Sequence, residues 1–368
     1  MKIGICLRTW DEKGGIGAYT RNLMQAMLSM DSKNQYVLFY NNKAHVGLFN
    51  RYESVKERFV PAYGKVMWDQ VASPWYAQKE DVDVIFHTKL TVPLLTRKKT
   101  VMVLHGTERF FFPKAHPKTD RLYFRTIYPQ YLKKASVIIA DSERARQDVI
   151  NLLGIDPKKI KTVHLAGDPA FHLIKDEVFL NNIRNKYRLP ERFIIYVGHV
   201  YPGKNVGRLF KAFKQVREHH DIKLVMVGAL RWKFQDDLNL IKTLHIEDHI
   251  QMLGYVPLED LVGLYNLAEL TAFPSLYECF PAIPLDANAC GCPVVTSHTG
   301  GTPEAAGDAA VYVNPMDVDG IAKAISTVLE DAALRKDLID KGFRNAKRFS
   351  WQKTAQATLA AIESLGSA

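Results

Sequence analysis

Apolar residues come in short unbroken runs along the first part of the chain, each followed by a stretch whose apolar positions recur at helical spacing. The runs are Ile3 to Leu7, Gln35 to Tyr40, Val84 to His87, Val101 to His105 and Val137 to Ala140. Unbroken runs of this length mark strands covered on both faces, and helices between them make βαβ units around a parallel sheet. From Val163 to Arg192 the pattern loosens around Gly167-Asp168-Pro169, Asp176 and Leu189-Pro190, which reads as a hinge. A second series then begins with Phe193 to Gly198 and continues with Leu224 to Gly228, Gln251 to Val256 and Leu270 to Phe273. Helical spacing returns at Leu258 to Ala268, Ile321 to Leu329 and Ala333 to Arg348, and Ser350 reads as the N-cap of a last helix. The expectation is an α/β chain of two domains, 1–172 with a closing helix 351–368, and 173–350. A length of 368 residues exceeds what one core usually supports.

Composition adds a partner class. Forty-nine Lys and Arg against 39 Asp and Glu give a net charge of +10 and a pI near 9.2, which favours an anionic partner: a nucleotide, a nucleic acid or an anionic membrane surface. Charge does not choose among them, but no nucleic-acid-binding module is recognisable, so nucleic acid is not expected. The four cysteines, Cys6, Cys279, Cys290 and Cys292, lack zinc spacing and read as reduced packing residues of a cytoplasmic protein. The N-terminus reads as a strand start rather than a signal peptide, and no apolar run approaches the length of a membrane span.

Candidate chemistry concentrates after Leu270. An apolar run ending in Pro274-Ser275 meets a loop carrying Glu278, then a short helix that Pro281 or Pro284 would open. The free N–H groups of a helix start attract phosphate, whereas a carboxylate beside them suits hydroxyl groups. A ligand with a diphosphate at one end and a sugar at the other satisfies both; the plainer reading is a helix-capping Glu278 and a solvated Asp286. Earlier, the strand ending in Gly198 leads through His199 to Lys204, a cation placed to meet a diphosphate or simply a surface lysine. His105 stands just past the carboxyl end of a buried strand, the edge where open α/β sheets bind ligands. Lys13-Gly14-Gly15-Ile16-Gly17 is either a phosphate-facing helix entry or plain turn chemistry, and Ser142 a helix N-cap.

Glu278, seven residues, Asp286, then Ala287-Asn288-Ala289-Cys290-Gly291-Cys292-Pro293-Val294-Val295 resembles the signature of the retaining glycosyltransferases of family 4, which have the GT-B fold. Tyr196-Val197-Gly198-His199-Val200-Tyr201-Pro202-Gly203-Lys204-Asn205 resembles a second segment of the same family. The resemblance implies two Rossmann-like domains with parallel sheets facing across a cleft, the last helix crossing back to the first domain. The donor is then held by the second domain and the acceptor by the first. It assigns Glu278 to the donor-sugar hydroxyls, Asp286 to the ribose, Lys204 to the diphosphate and His105 to the donor sugar, with His105, Lys204 and Glu278 as the catalytic set. Gly15, Gly17, Gly198, His199, Tyr255, Cys279, Phe280, Pro281 and Ala282 complete the donor-binding set. Three features depart from the family: Asp286 is shorter than the usual Glu, Cys279 and Pro281 replace glycines, and the basic partner of Lys204 is absent. The second cation is expected from Arg208 or Arg231.

No Asp-x-Asp motif stands in a suitable loop, so neither a metal nor another cofactor is expected beyond the donor itself, a GDP- or UDP-sugar. The resemblance implies transfer of a hexose, mannose favoured, to a saccharide or lipid-linked acceptor in polysaccharide or glycoconjugate biosynthesis. Attack is expected on the same face, with the departing phosphate oxygen taking the acceptor's proton. The alternatives are a non-catalytic nucleotide-sugar-binding subunit and an epimerase or phosphorylase of the same fold. Arg109-Phe110-Phe111-Phe112-Pro113-Lys114 and the cations and aromatics from Lys118 to Lys134 read either as a peripheral contact at the inner face of the membrane or as ordinary amphipathic packing.

Overall fold

The computed structural model describes residues 1–229 and 234–366. The chain divides into two compact units. One comprises Met1–Thr107, Lys118–Leu165 and the chain from Ser350 onward; the other comprises Glu108–Pro117 and Ala166–Phe349.

The first unit holds seven strands: β1 (Lys2–Cys6), β2 (Gln35–Tyr40), β3 (Val55–Phe59), β4 (Val84–His87), β5 (Lys99–Leu104), β6 (Val137–Ala140) and β7 (Ile160–Thr162). They pair in parallel in the order β3-β2-β1-β4-β5-β6-β7. Ile3, Ile5, Val37, Val84, Ile85, Val103 and Ile138 are wholly buried, as the unbroken apolar runs require. The edge strands β3 and β7 fall outside the sequence expectation. Lys56, Glu57 and Arg58 make β3 read as a loop, yet charge is how an edge strand resists pairing with another chain. Helix Trp351–Glu363 packs on helix Gly15–Met30. Ser350 Oγ accepts from the Lys353 N–H at 3.3 Å, the cap read from the sequence, and Thr354 Oγ1 donates to the His164 carbonyl at 2.9 Å.

The second unit holds β8 (Phe193–Val197), β9 (Lys223–Val227), β10 (Ile250–Gly254), β11 (Leu270–Phe273), β12 (Val294–Ser297) and β13 (Ala310–Val313). All are parallel, in the order β10-β9-β8-β11-β12-β13. The supposed hinge contains a regular helix, Glu177–Tyr187, whose N-terminus is capped by Asp176 accepting from the Val178 and Phe179 N–H groups. Only Leu180 and Ile183 of this helix are buried, too thin an apolar stripe to stand out by spacing.

The chain leaves β8 toward one side of the sheet and β11 toward the other, so β8 and β11 flank a topological switch point, where their loops part and leave a crevice. The β8 loop is set by close backbone approach. Gly228 has φ +135° and a Cβ there would lie 2.0 Å from the Gly198 carbonyl oxygen. Gly228→Ala is therefore expected to destabilise the second unit by about 2–4 kcal/mol, read as a lower urea midpoint at unchanged slope. An unchanged midpoint would show that the 198–199 peptide is free to shift.

Candidate active site

Two loops meet at the switch point between β8 and β11. After β8, Gly198 (φ +142°) turns the chain, the Tyr196 hydroxyl donates to the His199 carbonyl at 3.1 Å, and a single 3-10 turn, Pro202–Lys204, follows. Asn205 stops that turn in the left-handed region (φ 61°). Its Nδ2 donates to the Pro274 carbonyl at 2.9 Å and the Pro315 carbonyl at 2.6 Å. The second loop is fastened to the first where the Leu276 N–H donates to the Gly203 carbonyl at 3.0 Å. On its far side the Gly301 N–H donates to the Glu278 carbonyl at 2.8 Å, and a Cβ on Gly300 would stand 2.2 Å from that oxygen.

Held in this way, Lys204 Nζ donates to Glu278 Oε1 at 2.6 Å, with both side chains mostly enclosed. The ammonium lies 5.0 Å from the Phe273 ring centroid and 5.9 Å from that of Tyr201. Burial disfavours its charge, but attraction to Glu278 and then Tyr201 outweighs burial, and the Lys204 pKa is raised. A cation and a carboxylate are thus paired at one point in a low-dielectric wall, each able to take a different part of a ligand.

A segment remote in sequence joins this cluster. Phe111 stacks on Tyr277 with ring centroids 5.1 Å apart and planes at 22°, and the His116 ring lies 6.1 Å from that of Tyr201. Glu108 pairs with Arg109. Burial, with Glu278 a lesser contributor, pushes the Glu108 carboxyl up against the attraction of Arg109 and Lys204. Arg109 also acts on the buried hydroxyl of Tyr201, so it is a cation in this cluster that sequence reasoning missed. Of the two expected cations, Arg208 donates to Asn205 Oδ1 at 2.9 Å, and Arg231 lies outside the described residues.

The other expected positions divide by unit. Cys279, Phe280 and Pro281 are buried and Ala282 half-buried in the loop that carries Glu278, and Phe280 packs edge-on to Phe349 at 5.3 Å. The following helix runs Ile283–Ala289 with Ala282 as N-cap and Pro284 in its first turn, so Pro281 precedes it. Asp286 Oδ1 accepts from the Asp168 N–H at 2.9 Å. Enclosure of its carboxyl drives its pKa well above the ordinary value, against that hydrogen bond. Tyr255 is exposed beyond β10.

In the first unit a Cβ on Gly15 would meet nothing within 4 Å, whereas one on Gly17 would stand 1.7 Å from the Glu12 carbonyl oxygen, so Gly17 serves the turn. Ser142 Oγ accepts from the Ala145 N–H at 3.0 Å as an N-cap. His105 Nδ1 faces Asp141 Oδ2 at 2.8 Å and Nε2 faces the Thr88 carbonyl at 3.0 Å, with the Tyr19 ring 4.6 Å away. To reach a sugar hydroxyl the ring must release one of these partners. Burial favours the neutral form of both residues. On Asp141 burial prevails and raises the pKa; on His105 the attraction to Asp141 prevails and raises it. The histidine direction is the decisive one, because an imidazolium donates to both of its acceptors.

Two units, each built on a parallel sheet, with a charged pair at the switch point of the second, describe an α/β protein of two Rossmann-like units. Comparison with known proteins narrows this. The family model described as glycosyl transferases group 1 matches residues 181–345, and that described as glycosyltransferase family 4 matches residues 13–171. The O-antigen chain mannosyltransferase B of Escherichia coli is 30% identical over 295 residues, 79% of this chain and 77% of its own length. Among solved structures, a sucrose-phosphate synthase from Thermosynechococcus elongatus superposes with TM-score 0.79 at 18% identity over 100% of this chain and 99% of its own. The Anabaena protein HepE, solved with UDP and glucose, superposes with TM-score 0.75 at 19% identity over 99% of this chain and 100% of its own. The chain belongs to glycosyltransferase family 4, the glycosyl transferases group 1, with the GT-B fold.

Two expectations follow. In a cycle of Lys204→Met and Glu278→Gln, each single change strands a charge and is expected to cost about 2–4 kcal/mol, the double change less than the sum. Additive unfolding free energies would mean that the pair is not coupled. His105, with its folded pKa raised above the unfolded value of about 6.5, contributes stability that is complete below that pH and fades as pH rises through the folded pKa. The stability difference between wild type and His105→Asn should shrink on going from acid to alkaline pH; a difference that grows would reverse the sign.

Proposed function

We propose that the protein is a retaining mannosyltransferase that takes a nucleotide-diphosphate sugar, GDP-mannose first and a UDP-sugar second. It passes the hexose to a saccharide or lipid-linked acceptor. The observation that carries this reading is the Lys204–Glu278 pair, 2.6 Å apart at the switch point of the second unit. The mannose preference is supported by the E. coli relative, whose name makes it a mannosyltransferase of the O-antigen chain. The second choice of nucleotide is supported by the UDP and glucose held by HepE.

In this reading the donor's diphosphate draws Lys204 away from Glu278, and Glu278 turns to accept from hydroxyls of the sugar. Each partner exchanges one charged or polar contact for another, so neither is left buried and unpaired. As the bond between the anomeric carbon and the phosphate oxygen breaks, charge builds on the diphosphate, and a preorganised ammonium stabilises that charge more than the ground state. The acceptor oxygen bonds to the anomeric carbon from the same face, and its proton passes to the departing phosphate oxygen. Electrons and protons balance with no external reagent. Arg109 supplies further positive charge beside the same wall.

Glu278→Gln is expected to lower transfer by at least about 100-fold at a temperature where circular dichroism shows the variant still folded, its melting temperature being lowered by the stranded Lys204. Lys204→Met is expected to weaken GDP or UDP binding at least about tenfold by calorimetry. A screen of GDP-, UDP- and ADP-sugars should raise the melting point for the true donor. Wild-type transfer by Glu278→Gln, or unchanged nucleotide affinity in Lys204→Met, would remove that residue from the site.

A further inference from the structure

The first unit leaves an apolar patch outside its core. Helical turns Gly64–Met67, Trp68–Ala72 and Ser73–Lys79 follow β3. They bury Trp68 and Ala77, yet leave Tyr63 98%, Val66 73%, Val71 52% and Trp75 58% exposed. Gln70, half-buried, lies between these residues in sequence. Its Nε2 donates to the Val92 carbonyl at 3.1 Å and to the Tyr131 hydroxyl at 3.4 Å, and its Oε1 accepts from the Leu94 N–H at 3.0 Å. Lys134 Nζ then donates to the Thr96 carbonyl at 2.7 Å. These bonds knit together three separate stretches, and the second and third add Leu95, 94% exposed, and Leu122, 65% exposed.

Charge on the same stretches is one-sided. Residues 61–79, 91–99 and 121–135 carry nine lysines and arginines and a single acid, Asp69. That acid is buried and bound to Arg8 at 2.8 Å. The nearest bordering acids are Glu80, buried and paired with Lys56 at 2.6 Å and Arg58 at 2.7 Å, Asp81, which pairs with Lys98 at 3.0 Å, and Asp120. Lys65, Arg97 and Arg125 are exposed among the apolar side chains. Of the rings that suggested a lipid contact from sequence, Phe124, Tyr128 and Tyr131 are buried, Phe110, Phe112 and Tyr123 are half-buried, and Phe111, exposed, belongs to the second unit and stacks on Tyr277.

We propose that this face of the first unit seats the protein on an anionic lipid bilayer, with Val71, Trp75, Leu95 and Leu122 entering the interface and Lys65, Arg97 and Arg125 meeting the headgroups. Aliphatic groups and an indole on stretches where cations far outnumber acids match the apolar boundary and negative surface of such a bilayer. A second copy of the chain fits less well, because a two-fold contact would press like charges together. No helix among the described residues is long and apolar enough to cross a membrane, so the contact is with the surface. The inference is independent of the donor-site reading.

The test is co-sedimentation of the full chain with phosphatidylcholine vesicles, with and without phosphatidylglycerol. Wild type is expected to sediment with the anionic vesicles only. The exposed-residue variant Val71→Ser/Trp75→Ser/Leu95→Ser, checked for an unchanged melting temperature, should bind them at least about tenfold more weakly, as should Arg97→Glu/Arg125→Glu. Retained binding by the apolar variant would reduce the contact to loose charge attraction and overturn the proposal. So would absence of wild-type binding, or a dimer in sedimentation equilibrium that the apolar variant dissolves.

Discussion

An ammonium and a carboxylate that are 74 positions apart in sequence meet at 2.6 Å where β8 and β11 diverge, and the site depends on that contact. Both groups are withdrawn from water, and a buried charge without a partner is costly. The backbone around them is arranged to make the contact hold. Asn205 ties the Lys204 turn to the Pro274 and Pro315 carbonyls, Leu276 bonds to Gly203, and Gly301 bonds to Glu278. The pair is strong enough to organise the wall and compact enough to be exchanged, provided the incoming ligand offers an anion and hydroxyl groups together. On the proposed function a free phosphate would satisfy only the lysine and a free sugar only the glutamate.

Much of the sheet architecture is legible in the sequence because parallel strands buried on both faces leave unbroken apolar runs. What is not legible has physical causes. β3 carries Lys56, Glu57 and Arg58 because it is an edge, and β7 is three residues long. Helix Glu177–Tyr187 buries only Leu180 and Ile183. Glu278 and Lys204 stand out through the family signature, but the entry of Glu108, Arg109 and Phe111 into the same unit does not, since no local pattern reports a contact with Tyr277 across such a separation. The cation and aromatic spacing from Lys118 to Lys134 is that of any amphipathic helix, and Phe124, Tyr128 and Tyr131 turned inward. Of the exposed apolar groups only Leu122 lies in that stretch; Tyr63, Val66, Val71, Trp75 and Leu95 lie elsewhere, and Tyr63, Val66 and Trp75 look like core residues until their surroundings are known.

Two residues carried over from the family signature sit in tighter surroundings than the signature alone conveys. Asp286 already accepts from Asp168, and His105 already bridges Asp141 and Thr88. Each has a contact to give up before it can serve a ligand. Their use in binding therefore has an energetic cost that Lys204 and Glu278, which exchange partners rather than lose them, avoid. This places the weight of the proposed donor recognition on the 198–204 turn and the 275–282 loop.

The most direct measurement is a crystal structure with an intact nucleotide sugar bound. The account predicts that Lys204 Nζ leaves Glu278 for a phosphate oxygen while Glu278 accepts from hydroxyls of the sugar, with Asn205 still holding both carbonyls. A bound nucleotide sugar beside an unbroken Lys204–Glu278 pair, or lodged away from both loops, would contradict it.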